Sequence, residues 1–298
     1  LNTVYFVNSG SEAIEGAMKL AKRFTGRYEL ISCENAYHGS TNGALSLMGN
    51  DDFTQSFRPL LPSTNRIAFG KMDDLERISH QTAAVIIEPV QGEAGIRCAS
   101  NTYWKALRQR CTQTGTLLVF DEIQTGFGRT ASLFAFQNIG IVPDMLTLAK
   151  AMGGGMPIGA FVASKEIMKT LMSNPVLGHI TTFGGHPVSC AAALASLQVI
   201  EKQKLYEKVQ RKSDLFVQYL NDLKQIKEIR RKGLLIALEF NDRELNFKVI
   251  RSCLEKGVIV DWFLFCDTAL RIAPPLIISD QEIMQASTII KEAIIENT

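Results

Sequence analysis

Residues 116–122 read TLLVFDE, an apolar run that ends on two neighbouring carboxylates. The run shows no alternation of polar and apolar side chains, which is typical of a strand buried on both faces. Similar apolar segments lie at 84–88, 144–149 and 159–163, and a helical pattern ended by Gly115 precedes the central run. Strands that alternate with helices in this way predict an α/β fold, with a mainly parallel sheet and helices on both faces.

The last third of the chain predicts a smaller α+β domain. A helical stretch without breakers at 187–201 would connect it to the first domain, and charged helices and short strands follow. We therefore predict a large domain at 1–204, and at 205–298 a second domain. The basic cluster at 230–232 is interpreted as a solvated turn.

Composition narrows the possible partners. The 298 residues include 32 Lys and Arg against 30 Asp and Glu, a net charge of +2 that lacks the basic excess of a nucleic-acid binder. No apolar run approaches the roughly 18 residues that a membrane span needs, so we expect no membrane partner. The six cysteines show neither zinc nor disulfide spacing, which indicates a reducing, cytoplasmic location and no metal.

Unusual residues stand where the predicted strands end. Gly10 and Ser11 follow an apolar segment and open a helical pattern, and the free N–H groups of a helix start can bind an anion. A plain helix cap would also explain these two residues, and Ser9 with Glu12 fits a capping box. Because ligands of parallel sheets bind beyond the carboxyl ends of strands, these positions predict a pocket.

Asp121 and Lys150 occupy two further strand ends. Asp121 alone would be ambiguous between a helix cap and a metal ligand, although no histidine stands near it in the sequence. Lys150 follows an apolar strand and precedes three glycines, where burial would favour the neutral amine that imine chemistry needs. An anion-binding helix start, a carboxylate and such a lysine together fit pyridoxal 5′-phosphate.

The motifs also resemble a known family, the class III aminotransferases of the ornithine, acetylornithine and 4-aminobutyrate group, which have fold type I. The resemblance covers residues 8 to 278, in the stretches NSGSEAIEGAMKLAK, YHGS, EPVQGEAGI, DEIQTGFGRT, LAKAMGGGMPIGA, TTFGGHP and LRIAPPL. Members of the family carry a substantial segment before the Asn-Ser-Gly turn, which here lies at 8–10. We therefore expect that an N-terminal segment is missing, which leaves only the C-terminal part of the small domain at 205–298.

The resemblance implies a role for each matching residue. Lys150 would carry the cofactor as an imine and then shuttle a proton, and Asp121 would pair with the protonated ring nitrogen. The other implied cofactor contacts are Gly10 and Ser11 to the phosphate, Gln124 to the ring hydroxyl, Ile123 and Tyr37 to the two ring faces, and Thr182 to the phosphate of a neighbouring subunit. The last contact requires a homodimer with its active sites at the subunit interface. His38 would support the site without acting as a base.

The substrate residues implied by the resemblance are fewer. Arg271 would bind a substrate carboxylate, Glu93 would neutralise Arg271 when no carboxylate is present, and Thr181 would line the pocket. Ser40 stands where ornithine- and acetylornithine-type members usually carry an arginine for a second carboxylate, so the sequence departs from those members there. Glu88 is interpreted as structural.

We therefore expect a pyridoxal-phosphate-dependent aminotransferase that moves an amino group from an amino acid or an ω-amine to a 2-oxo acid, such as 2-oxoglutarate, by a ping-pong mechanism. An aminomutase, a racemase or a decarboxylating transaminase would use the same lysine and aspartate. An inactive partial chain is a further alternative.

Overall fold

The computed structural model describes all 298 residues, Leu1–Thr298. The chain divides into two compact units. The first consists of 1–89, 98–127 and 134–199, and the second consists of 90–97, 128–133 and 200–298. The domain limits inferred from the sequence, 1–204 and 205–298, remain a prediction.

The first unit is built on seven strands with helices between them. The strands are β1 (Thr3–Val7), β2 (Glu29–Cys33), β3 (Thr64–Ile67), β4 (Thr82–Ile87), β5 (Leu117–Asp121), β6 (Met145–Leu148) and β7 (Gly159–Ala163). The helices are α1 (Gly10–Thr25), α2 (Asn42–Ser46), α3 (Asn101–Thr114), α4 (Ala135–Ile139), α5 (Lys165–Lys169) and α6 (Pro187–Lys202), whose last residues belong to the second unit.

The sheet of the first unit is mainly parallel, as the sequence predicts. Its strand order is β1-β7-β6-β5-β4-β2-β3, and the five strands from β6 to β3 are all parallel. Only β7 is reversed, and it pairs antiparallel with both β6 and β1. Its direction could not be seen in the apolar pattern, because the pattern of a buried strand is the same in either direction.

Both faces of this sheet are covered by helices, which confirms the predicted layering. Leu117 and Val119 of β5 pack in one apolar cluster with the buried side of α1. Leu118 and Phe120 of the same strand pack in a second cluster, with Tyr103, Trp104 and Leu107 of α3. Successive side chains of the strand point to opposite faces, and burial of each large apolar side chain stabilises the fold by about 1.5–3 kcal/mol. The central strand therefore stabilises the helix layers on both faces.

The second unit is a four-stranded antiparallel sheet with helices. Its elements are α7 (Val209–Leu220), β8 (Glu228–Lys232), β9 (Leu235–Glu239), α8 (Arg243–Glu255), β10 (Asp261–Phe263), β11 (Cys266–Ile272) and α9 (Asp280–Glu296), in the strand order β10-β11-β9-β8. Ile236 and Leu238 of β9 pack in one apolar cluster with α7, α8 and α9. Leu235 and Ala237 pack instead in a cluster with Val90 and Ile96 of the segment 90–97.

The interpretation of 230–232 as a solvated turn is wrong, because these residues form part of β8. Arg230 is buried, its Nη2 lies 2.7 Å from Oε2 of Glu239, and its Nε donates to the carbonyl of Gly95 at 2.6 Å. Burial alone would raise the pKa of Glu239, but hydrogen bonds from Thr268 and Arg230 outweigh it and lower the pKa to about 2. The buried partner Glu239 therefore allows Arg230 to lie in a strand, although its sequence looks like a surface turn.

Candidate active site

The residues of the first unit that the sequence analysis places at strand ends lie at one edge of its sheet. Because β1 and β6 are each antiparallel to β7, they run in the same direction as the other parallel strands. Gly10 follows β1, Glu88 follows β4, Asp121 ends β5 and Lys150 follows β6. All four therefore stand at the carboxyl edge, where parallel sheets place their ligands.

The start of α1 presents unsatisfied backbone donors at this edge. Ser9 is the N-cap, and its Oγ accepts the N–H of Glu12 at 3.2 Å. The Glu12 carboxylate accepts from N and Nδ2 of Asn8, at 2.7 and 2.8 Å, so the prediction of a full Ser9–Glu12 capping box is wrong. The first N–H groups of the helix, those of Gly10 and Ser11, have no carbonyl one turn earlier to receive them.

The loop after β2 packs against the start of α1. Gly39 has a φ of +129°, and a Cβ on it would lie 2.3 Å from Oγ of Ser11. The N–H of Ser40 donates to the same Oγ at 3.2 Å, and the hydroxyls of Tyr37 and Ser40 lie 3.1 Å apart. Glycine is therefore needed at position 39 for Ser11 to keep its place.

The same loop also contacts Glu88. The Tyr37 N–H donates to the Glu88 carboxylate at 3.3 Å, which agrees with a structural role for Glu88.

Asp121 is buried at the end of β5 and is held by two groups. Its Oδ1 accepts the N–H of Ile123 at 3.0 Å, and its Oδ2 lies 2.7 Å from Nδ1 of His38. His38 is fully buried, and its Nε2 has no hydrogen-bond partner. Burial lowers the pKa of His38, but the hydrogen bond and charge of Asp121, with the charge of Glu88, raise it overall. The arrangement favours an imidazolium next to a carboxylate.

The turn after Asp121 is fixed by a residue that sequence reasoning left unassigned, Glu122. Its buried carboxylate accepts the hydroxyl of Thr125 at 2.6 Å and the N–H groups of Ala135 and Phe136 at 2.9 and 2.7 Å. Burial and the nearby charge of Asp121 raise the pKa of Glu122. The three hydrogen bonds lower it, but only partly offset the rise. The acidic pair at the strand end was a visible signal, but only the fold shows that its second member is structural.

Ile123 and Gln124 follow in the same turn, and both side chains are partly exposed. A Cβ on Gly10 would come within 2.9 Å of Cδ1 of Ile123, so the helix start and this turn lie in contact through the glycine. The turn thus brings the apolar side chain of Ile123 next to the start of α1.

Lys150 differs from its expected environment. The sequence predicts a lysine buried at the end of an apolar strand, but β6 ends at Leu148 and the Lys150 side chain is exposed. Lys150 opens a short 3₁₀ turn, Lys150–Gly153, with a φ of +46°. A left-handed conformation is costly for a residue other than glycine and is often found at functional sites. Lys150 thus lies in an exposed turn after the strand and not within it.

Two threonines and one ion pair complete the predicted set. Thr181 is half-buried in the first unit, and its Oγ1 accepts Nδ2 of Asn8 at 2.9 Å, while Thr182 is exposed. In the second unit, Nη1 of Arg271 lies 2.8 Å from Oε1 of Glu93, so the predicted pair is formed. Nη2 of Arg271 lies 2.7 Å from Oδ2 of Asp261, a partner that sequence reasoning missed.

Residues 2–294 match the protein family described as aminotransferase class-III. The chain is a class III aminotransferase. It is 43% identical over 296 residues to the acetylornithine aminotransferase of Methanocaldococcus jannaschii, which covers 95% of this chain and 72% of that protein. It is 38% identical over 300 residues to a [LysW]-aminoadipate semialdehyde/glutamate semialdehyde transaminase of Sulfolobus acidocaldarius, across 99% of this chain and 76% of that protein.

Solved structures of transaminases share the fold of this aminotransferase. An ornithine aminotransferase from Toxoplasma gondii superposes with a TM-score of 0.91 at 31% identity, across 99% of this chain and 73% of that one. An amine transaminase from an uncultivated Pseudomonas species, solved in its PLP-bound form, gives 0.89 at 27% identity across 99% and 77%. The fold type I architecture predicted from the sequence is thus confirmed.

Pyridoxal phosphate is the cofactor of this aminotransferase, as in its family. The residues of the first unit fit this group. The helix start offers N–H donors for a dianion, Asp121 offers a buried carboxylate for a ring nitrogen, and Lys150 offers a primary amine at the same edge. Glycine at position 10 leaves the space in which Ile123 lies.

Proposed function

We propose that this aminotransferase moves an amino group from an amino acid or ω-amine donor to a 2-oxo acid, with 2-oxoglutarate as acceptor, in a ping-pong reaction at Lys150 and Asp121. One observation carries the proposal: an amine and a buried carboxylate stand at the ends of the adjacent strands β6 and β5. Asp121 lies opposite Thr147 in the register of β5 and β6, and Lys150 is three residues further along the chain than Thr147.

Asp121 would keep the ring nitrogen of the cofactor protonated. Pyridoxal phosphate, when bound, supplies an aldehyde that takes the amino group and a protonated ring that withdraws electrons. His38 and the N–H of Ile123 hold both oxygens of Asp121, so the orientation of the carboxylate is fixed by the protein. Lys150 would anchor the cofactor through Nζ and then take the proton from the reacting carbon of the substrate.

The remaining first-unit residues would bind and orient the cofactor. The N–H groups at the start of α1 suit a phosphate because the helix dipole adds to their hydrogen bonds. The proposed contacts are Gly10 and Ser11 to the phosphate, Tyr37 and Ile123 to the ring faces, Gln124 to the ring hydroxyl, and Thr182 to the phosphate of the partner subunit.

Arg271 and Glu93 would select the substrate end that lies beside the reacting carbon. With Glu93 in place, the guanidinium is neutralised and a substrate without a carboxylate there can bind. When a 2-oxo acid binds, its carboxylate would replace Glu93 on Arg271, since guanidinium and carboxylate form a two-pronged pair. Thr181 would line the pocket, and Ser40, which is uncharged, would give the distal end of the substrate a hydroxyl instead of a cation.

A homodimer is supported by the exposed apolar side chains of the first unit. Residues of β1 and of the segment before α6 leave large apolar groups in water: Val4, Phe6, Met172, Val176, Leu177, Ile180 and Phe183. Such a concentration is typical of an association surface. Thr182 lies within this segment, as a residue donated to a partner's site should.

We further propose a cytoplasmic location. The six cysteines form no disulfide with one another, and the thiols of Cys33 and Cys111 are buried in the core. Burial raises the pKa of both thiols, that of Cys111 to about 12, so they stay protonated. No helix is both long enough and apolar enough to cross a bilayer.

The proposal is tested with Lys150→Ala in the pyridoxal-phosphate-loaded protein. We expect the variant to lose multiple turnover with 2-oxoglutarate and a panel of donors, because Lys150 is the lysine in the turn directly after β6. Lys169→Ala removes an exposed lysine of the same unit and should keep wild-type turnover. Multiple turnover by Lys150→Ala would reject the assigned role. Repeated turnover of the donor by the wild type without any 2-oxo acid, beyond one equivalent per active site, would reject amino transfer.

A further inference from the structure

The guanidinium of Arg271 is shared by two carboxylates from different parts of the second unit. Glu93 bonds Nη1 at 2.8 Å, and Asp261 bonds Nη2 at 2.7 Å. The guanidinium carbon also lies 5.5 Å from the centre of the Phe263 ring, which restricts its orientation. One positive and two negative charges leave this triad, Glu93–Arg271–Asp261, with a net charge of −1.

Both carboxylates are held in place by the backbone. Asp261 lies directly opposite Arg271 in the antiparallel pair of β10 and β11, so their side chains project from the same face. Its second oxygen accepts the N–H of Trp262 at 2.9 Å. The Glu93 carboxylate accepts the N–H of Leu264 at 3.2 Å, and the Glu93 carbonyl accepts that of Phe265 at 3.0 Å.

The two carboxylates are not equivalent. The Glu93 side chain is 11% exposed and belongs to a loop, whereas the Asp261 side chain is 47% exposed and is fixed by strand register. If Glu93 leaves, Nη1 becomes available but Nη2 stays paired with Asp261. A carboxylate that needs both nitrogens must then compete with Asp261 as well.

We propose that Asp261 is a specificity-determining residue that weakens carboxylate binding at Arg271 and so favours donors with no carboxylate beside the reacting carbon, namely ω-amines. This inference rests on the proposed function, in which Arg271 receives the carboxylate of the 2-oxo acid. Asp261 acts through charge repulsion toward the incoming carboxylate and by occupying one end of the guanidinium. An amine or a plain methylene group at that position meets neither penalty.

Asp261→Asn tests the proposal, because it keeps the shape and one of the two acceptor oxygens while it removes the charge. Glutarate serves as a non-reacting probe of the carboxylate site, and its Kd for the pyridoxal-phosphate-loaded enzyme is measured by titration calorimetry. We expect the variant to bind glutarate about two- to fivefold more tightly, the range for a partly exposed charge pair. High salt should shrink the difference, because it screens exposed charges.

Asp267→Asn is the matched control. Asp267 lies on β11, is 46% exposed and pairs with Arg243 at 2.8 Å, so the substitution removes an equally exposed paired charge elsewhere in the same sheet. It should leave the glutarate Kd unchanged. In stopped-flow half-reactions, Asp261→Asn alone should raise the rate ratio of L-glutamate to an ω-amine by a similar factor.

A glutarate Kd that is unchanged or weaker in Asp261→Asn, or shifted equally by Asp267→Asn, overturns the proposal, and so does a wild-type enzyme that binds no glutarate. A different result would reject the proposed function, namely a wild-type enzyme that transfers no amino group to any 2-oxo acid. The calorimetric shift is independent of turnover, so the two failures are distinguishable.

Discussion

Nδ1 of His38 lies 2.7 Å from Oδ2 of Asp121, and both side chains are buried. The contact ties the loop after β2 to the end of β5, two segments separated by 83 residues in the chain. Burial lowers the pKa of His38, but the neighbouring carboxylates raise it overall, which favours a proton on the imidazole beside the proposed cofactor carboxylate.

His38→Gln should show a pH-dependent loss of stability in the cofactor-free protein. A pKa raised above 6.5 on folding gives stability that is fully present below pH 6.5 and disappears as the pH rises through the folded pKa. We expect a cost of about 1.5–3 kcal/mol near pH 6, typical of a charged hydrogen bond, and a smaller cost near pH 9. Urea unfolding of both proteins measures this, with the exposed His80→Gln as control. A cost that grows with pH would contradict the raised pKa.

Gly39→Ala should weaken cofactor binding more than it weakens the fold. A methyl group would lie 2.3 Å from Oγ of Ser11, at a φ of +129°, so both the loop and the proposed phosphate site must shift. We expect the Kd for pyridoxal phosphate to rise about tenfold, which corresponds to about 1.4 kcal/mol. Titration of the apoprotein by absorbance measures this.

Gly26→Ala is the control for Gly39→Ala. Gly26 also has a positive φ, +68°, but a methyl group there would meet nothing within 4 Å. The Gly26 variant should lose some stability and keep its cofactor affinity. Equal affinities in both variants would show that the Ser11 contact does not govern phosphate binding.

Arg230→Met should destabilise the protein strongly, because it leaves the buried Glu239 carboxylate without its cation. Breaking a buried pair from one side costs about 3–5 kcal/mol. The adjacent Arg231 pairs with the exposed Asp214, so Arg231→Met should cost less than about 1 kcal/mol. Chemical denaturation of the two variants compares them, and similar midpoints would contradict the proposed difference.

Much of the fold follows from the sequence because buried parallel strands need continuous apolar runs. Those runs place Asp121 and Lys150 at strand ends, and the sheet then brings both to the edge where the start of α1 lies. The end of α3 also follows, since Gly115 carries a local helix-ending signal.

Other features depend on distant contacts that no local pattern records. Arg230 looks like a surface residue until Glu239 is placed beside it. Asp261 becomes a partner of Arg271 only through the register of β10 on β11. The exposure of Lys150 follows from where β6 ends, which the apolar pattern places one residue too late.

The segment 90–97 has a practical consequence for anyone who builds chimeras of this enzyme. It is encoded between β4 and α3, yet Val90 and Ile96 complete an apolar cluster of the second unit, and Glu93 meets Arg271 there. A cut and splice near residue 200 would pair one parent's loop with the other parent's β10 and β11. Exchanging the proposed selectivity of Arg271 and Glu93 between relatives therefore requires moving two separate gene segments together.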